Sequence, residues 1–240
     1  MGRLKKHAAY CGTRAIYGDM ETSAKSLVAN SDVDVVHFLI EDAEFPSELP
    51  DIVVCHDVSS QTFFRPDGPN MGSGYTYMAM MRIALCHVLP DVGRVLSLDA
   101  DTICMRDVSD VWELPIDDMY LSASHEWHRT TDEAVYCNFG VVLYNLEKLR
   151  DGKADECIAE LNANPYPWVE QDVGNYRCQG GIFDMPSEYN SNWWTDKDAP
   201  GARIVHYAGI KRDGWADRPE VAKYRAMSWE QALWMHGRRM

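Results

Sequence analysis

Apolar positions along the chain change period several times, and each change marks an element. Residues 7–11 form a short apolar run ending at Gly12-Thr13-Arg14, which predicts a first strand. Over 17–30, Met20, Ala24, Leu27 and Val28 return at helical spacing, so a helix follows. The β-branched run 33–40, bounded by acids and Pro46, predicts a second strand, and 52–55 a third. Gly and Pro crowd 61–74 (Pro66, Gly68, Pro69, Gly72, Gly74) and mark a long loop. A Met-rich helix is predicted over 75–89, stopped by Pro90, with Tyr77, Met81, Ala84 and Leu85 on one buried face. Val95-Leu96-Ser97-Leu98 then reads as a short buried strand that runs straight into Asp99-Ala100-Asp101.

The second half predicts a short helix over 108–112, strands over 120–123 and 136–145, and helices over 146–149, 153–162 and 170–176. A final strand covers 204–206, and an aromatic helical tail from 219 carries Trp229 and Trp234 and ends in Arg238-Arg239. A capping helix is preferred for that tail over a weak peripheral contact with a membrane surface. The βαβ alternation implies the α/β class, a mostly parallel, doubly wound central sheet flanked by helices.

Charge narrows the partners. With 23 basic against 37 acidic residues the formal charge is −14, which argues against nucleic acid, whose binders carry a basic footprint. If phosphates are handled, a few placed cations or a metal must do it. No run approaches the length of a transmembrane segment and the N-terminal apolar stretch is too short for a signal sequence, so a soluble, cytoplasmic protein is expected. Seven scattered cysteines without CxxC spacing fit reduced core thiols.

The candidate chemistry centres on Asp99 and Asp101. Ligands of open α/β sheets collect beyond the carboxyl ends of the strands, and two acids there with one residue between them suit a hard divalent cation. The rival reading of the triplet alone is a strand running into an Asx-type turn. Arg82, the one cation within the Met-rich helix, lies just upstream. Ser124-His125-Glu126-Trp127-His128-Arg129 lacks the H-E-x-x-H spacing of a zinc site and reads better as a substrate-lining loop.

Five segments in order resemble glycosyltransferase family 8, the glycogenin-like and galactosyltransferase-like retaining enzymes. Leu96-Ser97-Leu98-Asp99-Ala100-Asp101 is similar to the family's strand-plus-DxD element, and Cys137-Asn138-Phe139-Gly140-Val141-Val142-Leu143-Tyr144-Asn145-Leu146 to its F-N-A-G-V-x-x-x-N-L segment. Gln171-Asp172-Val173-Gly174-Asn175 resembles D-Q-D-x-x-N, Met185-Pro186-Ser187-Glu188-Tyr189-Asn190 resembles L-P-x-x-Y-N, and His206-Tyr207-Ala208-Gly209 resembles the H-x-x-G element before K-P-W.

The resemblance implies a single GT-A domain over 1–240, its central sheet Rossmann-like, with a nucleotide-binding half over about 1–105, an acceptor-binding half over about 106–218 and the helical tail after it. It implies Mn²⁺ (or Mg²⁺) held by Asp99, Asp101 and His206, and a nucleotide-sugar donor, commonly a UDP-hexose. The donor would also meet Thr13, Tyr17, Arg82, Ala100, Asn138 and Gly209, with Tyr17 free to stack and Thr13 to hydrogen-bond. The family's diphosphate lysine falls on Arg212, with Lys211 one residue earlier and Asp213-Gly214 inserted before Trp215, so both cations stand as candidates. Glu170, Gln171 and Asp172 would orient the sugar, and the poor nucleophilicity of Gln171 favours front-face substitution. The expected activity is a metal-dependent retaining hexosyltransferase acting on a glycan, lipid, protein or small-molecule acceptor. The alternatives are a nucleotide-sugar hydrolase and a non-catalytic nucleotide-sugar-binding relative.

Overall fold

In a computed structural model, which describes residues 4–72, 76–131, 135–195 and 201–237, the chain builds one seven-stranded sheet and one two-stranded sheet. In chain order the elements are β1 (His7–Gly12), α1 (Tyr17–Asn30), β2 (Val35–Ile40), β3 (Val53–Asp57), α2 (Tyr77–Met80), α3 (Leu85–Val88), β4 (Arg94–Leu98) and β5 (Thr102–Cys104). There follow β6 (Leu121–His125), β7 (Cys137–Asn145), α4 (Leu146–Leu149), α5 (Lys153–Ala163), α6 (Val169–Arg177), β8 (Ile182–Asp184), β9 (Ile204–His206), α7 (Pro219–Ala226) and α8 (Trp229–Met235).

The large sheet runs in the order β3-β2-β1-β4-β7-β6-β8. β3, β2, β1 and β4 are mutually parallel, β7 is antiparallel to both its neighbours, and β8 is parallel to β6. Six strands therefore share one direction, and β7 alone reverses. The mostly parallel, helix-flanked sheet expected from the βαβ alternation is present.

Both faces of the sheet are covered, which explains why its strands read as continuous apolar runs. Leu96 and Leu98 of β4 and Val141 and Leu143 of β7 enter a core shared with α1, α7 and α8, through Met20, Leu27, Val221 and Leu233. The alternating residues Val95, Val142 and Tyr144 enter a second core with α2 to α6, through Met78, Leu85, Leu161 and Val173. The tail thus lies on α1 as a cap, with Trp229, Ala232 and Leu233 buried, while Trp234 stands 75% exposed. The Arg238-Arg239 pair that prompted the membrane reading lies outside the described residues. Among the described residues, no helix is long and apolar enough to cross a membrane.

Four elements differ from expectation. The Met-rich helix is interrupted, because between α2 and α3 the amides of Arg82, Ile83 and Ala84 bond three residues back rather than four. This tightening accompanies the burial of Arg82. The start expected at residue 75, and Gly74 of the preceding loop, lie outside the described residues. The helix expected over 108–112 is a single 3₁₀ turn, Val111–Glu113. Finally, β5 and β8, of three residues each, were not anticipated.

Candidate functional site

The geometry starts at the carboxyl end of β4. The Asp99 amide donates to the Gly140 carbonyl at 2.8 Å, the last rung between β4 and β7, and Thr102 Oγ1 donates to the Asp99 carbonyl at 2.8 Å to close the turn. The chain then enters β5, which pairs antiparallel with β9 so that Thr102 faces His206. This short pairing brings a residue more than a hundred positions away beside the two acids. His206 Nε2 lies 3.4 Å from Asp101 Oδ1 and 3.6 Å from Asp99 Oδ2. One ligand atom from each of the three residues lies within 4.8 Å of the other two.

The His206 ring is oriented from behind. Asn190 Nδ2 sits 3.3 Å from the Asn138 carbonyl, which can only accept, so Asn190 Oδ1 is the acceptor facing His206 Nδ1 at 2.9 Å. In the neutral ring this acceptor favours the proton on Nδ1 and leaves Nε2 facing the carboxylates, the tautomer a metal-binding imidazole needs. The ring also needs the missing side chain of Gly140, where a Cβ would stand 1.8 Å from His206 Cε1. Residues 139–141 have no partner on β6, because Ala123 pairs with Val142 and Ser124 already with Asn138. This bulge gives β7 its local departure from the ladder beside the site.

Arg82 braces the acids. It is 3% exposed, donates from Nη1 to Asp99 Oδ1 at 2.7 Å and from Nε to Ser97 Oγ at 3.0 Å, and bonds the Phe139 carbonyl. Its Nη1 is also 3.5 Å from Glu170 Oε1. Burial pushes the Asp99 carboxyl up, with Arg82 and His206 pulling the other way. At Asp101 burial acts in the same sense, but His206, the backbone and Arg82 together outweigh it and the group lies below the usual range. Burial lowers His206, yet Asp101 and Asp99 hold it above its ordinary value. Burial lifts Glu170 to about 7 against the pull of Arg82. Two carboxylates and one imidazole with its lone pair inward form a donor set that fits Mn²⁺ or Mg²⁺, hard to intermediate cations.

Two cavities meet at this cluster. One of about 350 Å³ is lined by Asn138, Glu170, Gln171 and Gly209; the other, of about 440 Å³, by Thr13, Ala100, Asp19 and Arg212. Arg82, Asp99 and Asp101 line both. In the first, the Gln171 amide is fixed at both ends: Oε1 accepts from the Phe139 amide at 2.9 Å, and Nε2 donates to Tyr136 Oη at 3.1 Å and Glu126 Oε1 at 3.3 Å.

Three expected residues are not brought to the cavity walls. Tyr17 is 1% exposed, its ring stacked on Phe45 and its hydroxyl donating to Asp42 at 3.0 Å, so it has no face left for a base. Asp172 is turned inward, accepting from Tyr136 Oη at 2.5 Å and from the Trp168 amide at 3.0 Å. Lys211 is exposed and lines neither cavity, whereas Arg212 lines the second and pairs with buried Asp19, Nε to Oδ2 at 3.0 Å.

The segment 124–129, the end of β6 and the turn after it, does reach the site, with buried Glu126 on the wall accepting from Asn138 Nδ2 at 2.9 Å. Gly140, Asn190, Trp168 and Trp194 were missed as site residues. Gly140 and Asn190 lay within the segments quoted for the family resemblance, but nothing in their spacing told of a contact with His206. Trp168 and Trp194 carried no signal beyond their chemistry.

A family model described as glycosyl transferase family 8 matches residues 20–217. The chain is similar to the lipopolysaccharide 1,2-glucosyltransferase of Escherichia coli K12, 26% identical over 170 residues, covering 59% of this chain and 50% of that protein. It is similar to the glycosyltransferase GlyE of Streptococcus pneumoniae TIGR4, 24% identical over 263 aligned residues, covering 97% and 62%. The chain thus spans about half to three fifths of the length of these curated relatives. The crystal structure of apo GlyE superposes with a TM-score of 0.68 at 20% identity, covering 98% of this chain and 64% of that one. The structure of the galactosyltransferase LgtC in complex with donor and acceptor sugar analogs gives 0.65 at 16%, covering 96% and 95%. At such identities these likenesses establish the fold, which is GT-A.

Proposed function

Because the chain belongs to glycosyl transferase family 8, we propose that it is a metal-dependent retaining glycosyltransferase that moves a hexose from a nucleotide sugar, a UDP-hexose, to an acceptor. The observation that carries this reading is the convergence of Asp99, Asp101 and His206 where two cavities join. In it, the cavity with Thr13, Ala100 and Arg212 takes the nucleoside, and the cavity with Asn138 and Gln171 takes the sugar. Residues 1–105 supply most of the nucleotide half, completed by the 209–215 segment, and 106–218 supply the rest of the sugar side.

The residues divide the work. Asp99, Asp101 and His206 would hold the divalent cation, which would supply positive charge to the leaving diphosphate. Arg82 favours the ionised form of Asp99 and aims it. Arg212, once off Asp19, supplies the diphosphate with a guanidinium, a role for which exposed Lys211 is worse placed. Gln171 is a poor nucleophile whose amide is already engaged at both ends, which supports front-face substitution, the departing phosphate oxygen taking the acceptor proton. Asn138 and Glu126 meet sugar hydroxyls, and Asp172 acts from behind by fixing Tyr136 and the start of α6.

The test is a panel of nucleotide sugars with Mn²⁺ and with EDTA, following binding and released nucleoside diphosphate for wild type and Asp101→Asn. Metal-dependent binding that Asp101→Asn abolishes supports the reading. Equal binding with Mn²⁺ and with EDTA sinks it. Diphosphate release with water as the only acceptor favours the hydrolase.

A further inference from the structure

We propose that His7, His37 and His56 form an acid-sensitive clamp on the outer edge of the large sheet, a chain of neutral imidazoles that protonation breaks, releasing β3 from β2. The clamp lies outside the two cavities at the acidic cluster and does not depend on the activity proposed for them.

The three histidines stand on successive strands, stepped so that their rings meet. Ala9 pairs with His37 and Leu39 with His56, so each ring sits two residues along from the partner of the one before, and all three share the sheet face of Ala9 and Leu39. His7 Nδ1 is 2.9 Å from His37 Nε2, and His37 Nδ1 is 3.0 Å from His56 Nε2. In both pairs the ring centres are 5.2 Å apart, nearly as far as such a contact allows, so the rings meet end to end rather than face to face. Each contact is therefore an N–H donating to a lone pair. A shared metal ion would need two lone pairs converging on one point, and here the facing nitrogens are aimed at each other.

Counting protons gives the device its threshold. A neutral ring carries one N–H and one lone pair, so three neutral rings satisfy both contacts and leave one N–H at an end of the chain. One further proton fits only at the other end, and any beyond it sets two N–H groups and two charges against each other across a contact. Burial opposes even the first: His37, 6% exposed, is held down to about 3, and His7 and His56 also lie below their ordinary value, with burial the largest cause at each. Lys5 adds to this at His7 and Asp34 opposes it, while Asp57, next along β3, accepts from the Ser59 amide at 2.9 Å. His56 lines a cavity of about 480 Å³ with Gln61, Phe63 and Val88 of α3, where a proton can reach it; His87 of α3 stacks on Phe63 and pairs with Asp155 at 3.0 Å. What the clamp holds is an edge, since β3 is the outermost strand, pairs with β2 alone and leaves Val54 40% exposed. β2 leads directly to Glu41, which accepts from the Arg14 amide at 2.9 Å, so the loosened edge adjoins the loop that carries Thr13.

The test follows backbone amide hydrogen exchange by NMR in the intact protein as pH is lowered from about 7.5 to about 4.5, expressed as protection factors so that the intrinsic pH dependence of exchange drops out. Once released, His56 returns to its ordinary value of 6.5. Because the closed chain holds the rings below that value, its stabilisation is complete above about pH 6.5 and is lost as pH falls. Protection of β3 is expected to drop about tenfold or more for each unit below, a factor of ten for every proton taken up on opening, while β4 keeps its protection. The excess drop should vanish in His56→Gln, whose amide can bond in place of the ring without titrating, and in His37→Phe, which severs the chain. Nitrogen-15 spectra of the wild-type imidazoles should show His37 neutral at about pH 5, against a free ring that is then mostly charged. The proposal is overturned if β3 loses protection as steeply in His56→Gln as in wild type, if wild-type β3 falls no more steeply than β4, or if His37 is charged at about pH 6. The last two outcomes need no variant, so they decide the matter even where a substitution prevents folding.

Discussion

Replacing Gly140 by alanine should dismantle the candidate metal centre without substituting any of its ligands. The added Cβ would lie 1.8 Å from His206 Cε1, 2.2 Å from Nδ1 and 2.6 Å from Nε2. Carbon atoms rest at about 3.5 Å or more, so the ring must retreat by roughly 1.7 Å. A ligating nitrogen tolerates only about 0.2 Å of error, so the imidazole is lost as a ligand. The backbone has little freedom to yield instead, because the Gly140 carbonyl takes the Asp99 amide and its own amide bonds Asn138 Oδ1 at 3.0 Å. The over-packing itself should cost about 1–3 kcal/mol of stability, measurable by urea denaturation. Calorimetric titration with Mn²⁺ is the decisive assay, with Gly140→Ala expected to bind as weakly as His206→Ala. A folded Gly140→Ala protein with wild-type Mn²⁺ affinity would refute the reasoning that seats His206 on this glycine.

Other outcomes follow from the same contacts. Asn190→Ala removes the acceptor that fixes the His206 tautomer and should lower Mn²⁺ affinity by about 10–100-fold, read in the same titration. Glu170 is lifted from 4.5 to about 7. Its contribution to stability is therefore complete below pH 4.5 and lost as pH rises to about 7, a swing of about 3 kcal/mol at most. In EDTA, wild type should lose stability relative to Glu170→Gln over that window, and parallel pH profiles for the two proteins would contradict the assignment. Arg82→Met strands buried Glu170 and partly exposed Asp99 without their cation and should cost about 3–5 kcal/mol in urea denaturation, with Arg82→Lys recovering only part because ammonium cannot reproduce the fork.

The sequence by itself determined the α/β class, the bounds of α1, and the place of Asp99 and Asp101 at a strand end, because each rests on a local period or an abrupt change of polarity. It also carried family 8 in the order of five short segments. The interruption near Arg82 was not visible locally, since a Met-rich helical period continues through it and what breaks it is a buried ion cluster. Tyr17 looked available because aromatic chemistry is legible in a sequence, but burial is not. The same holds for Asp172, whose carboxylate is spent on Tyr136 and the start of α6.

Tertiary structure alone decided how the centre is assembled. The three-residue pairing of β5 with β9 brings His206 to the acids, Asn190 orients its ring, and the bare face of Gly140 gives that ring room. None of these relations has a signature in spacing. They join residues far apart in sequence, and they depend on which atoms of each side chain remain free once the chain has folded.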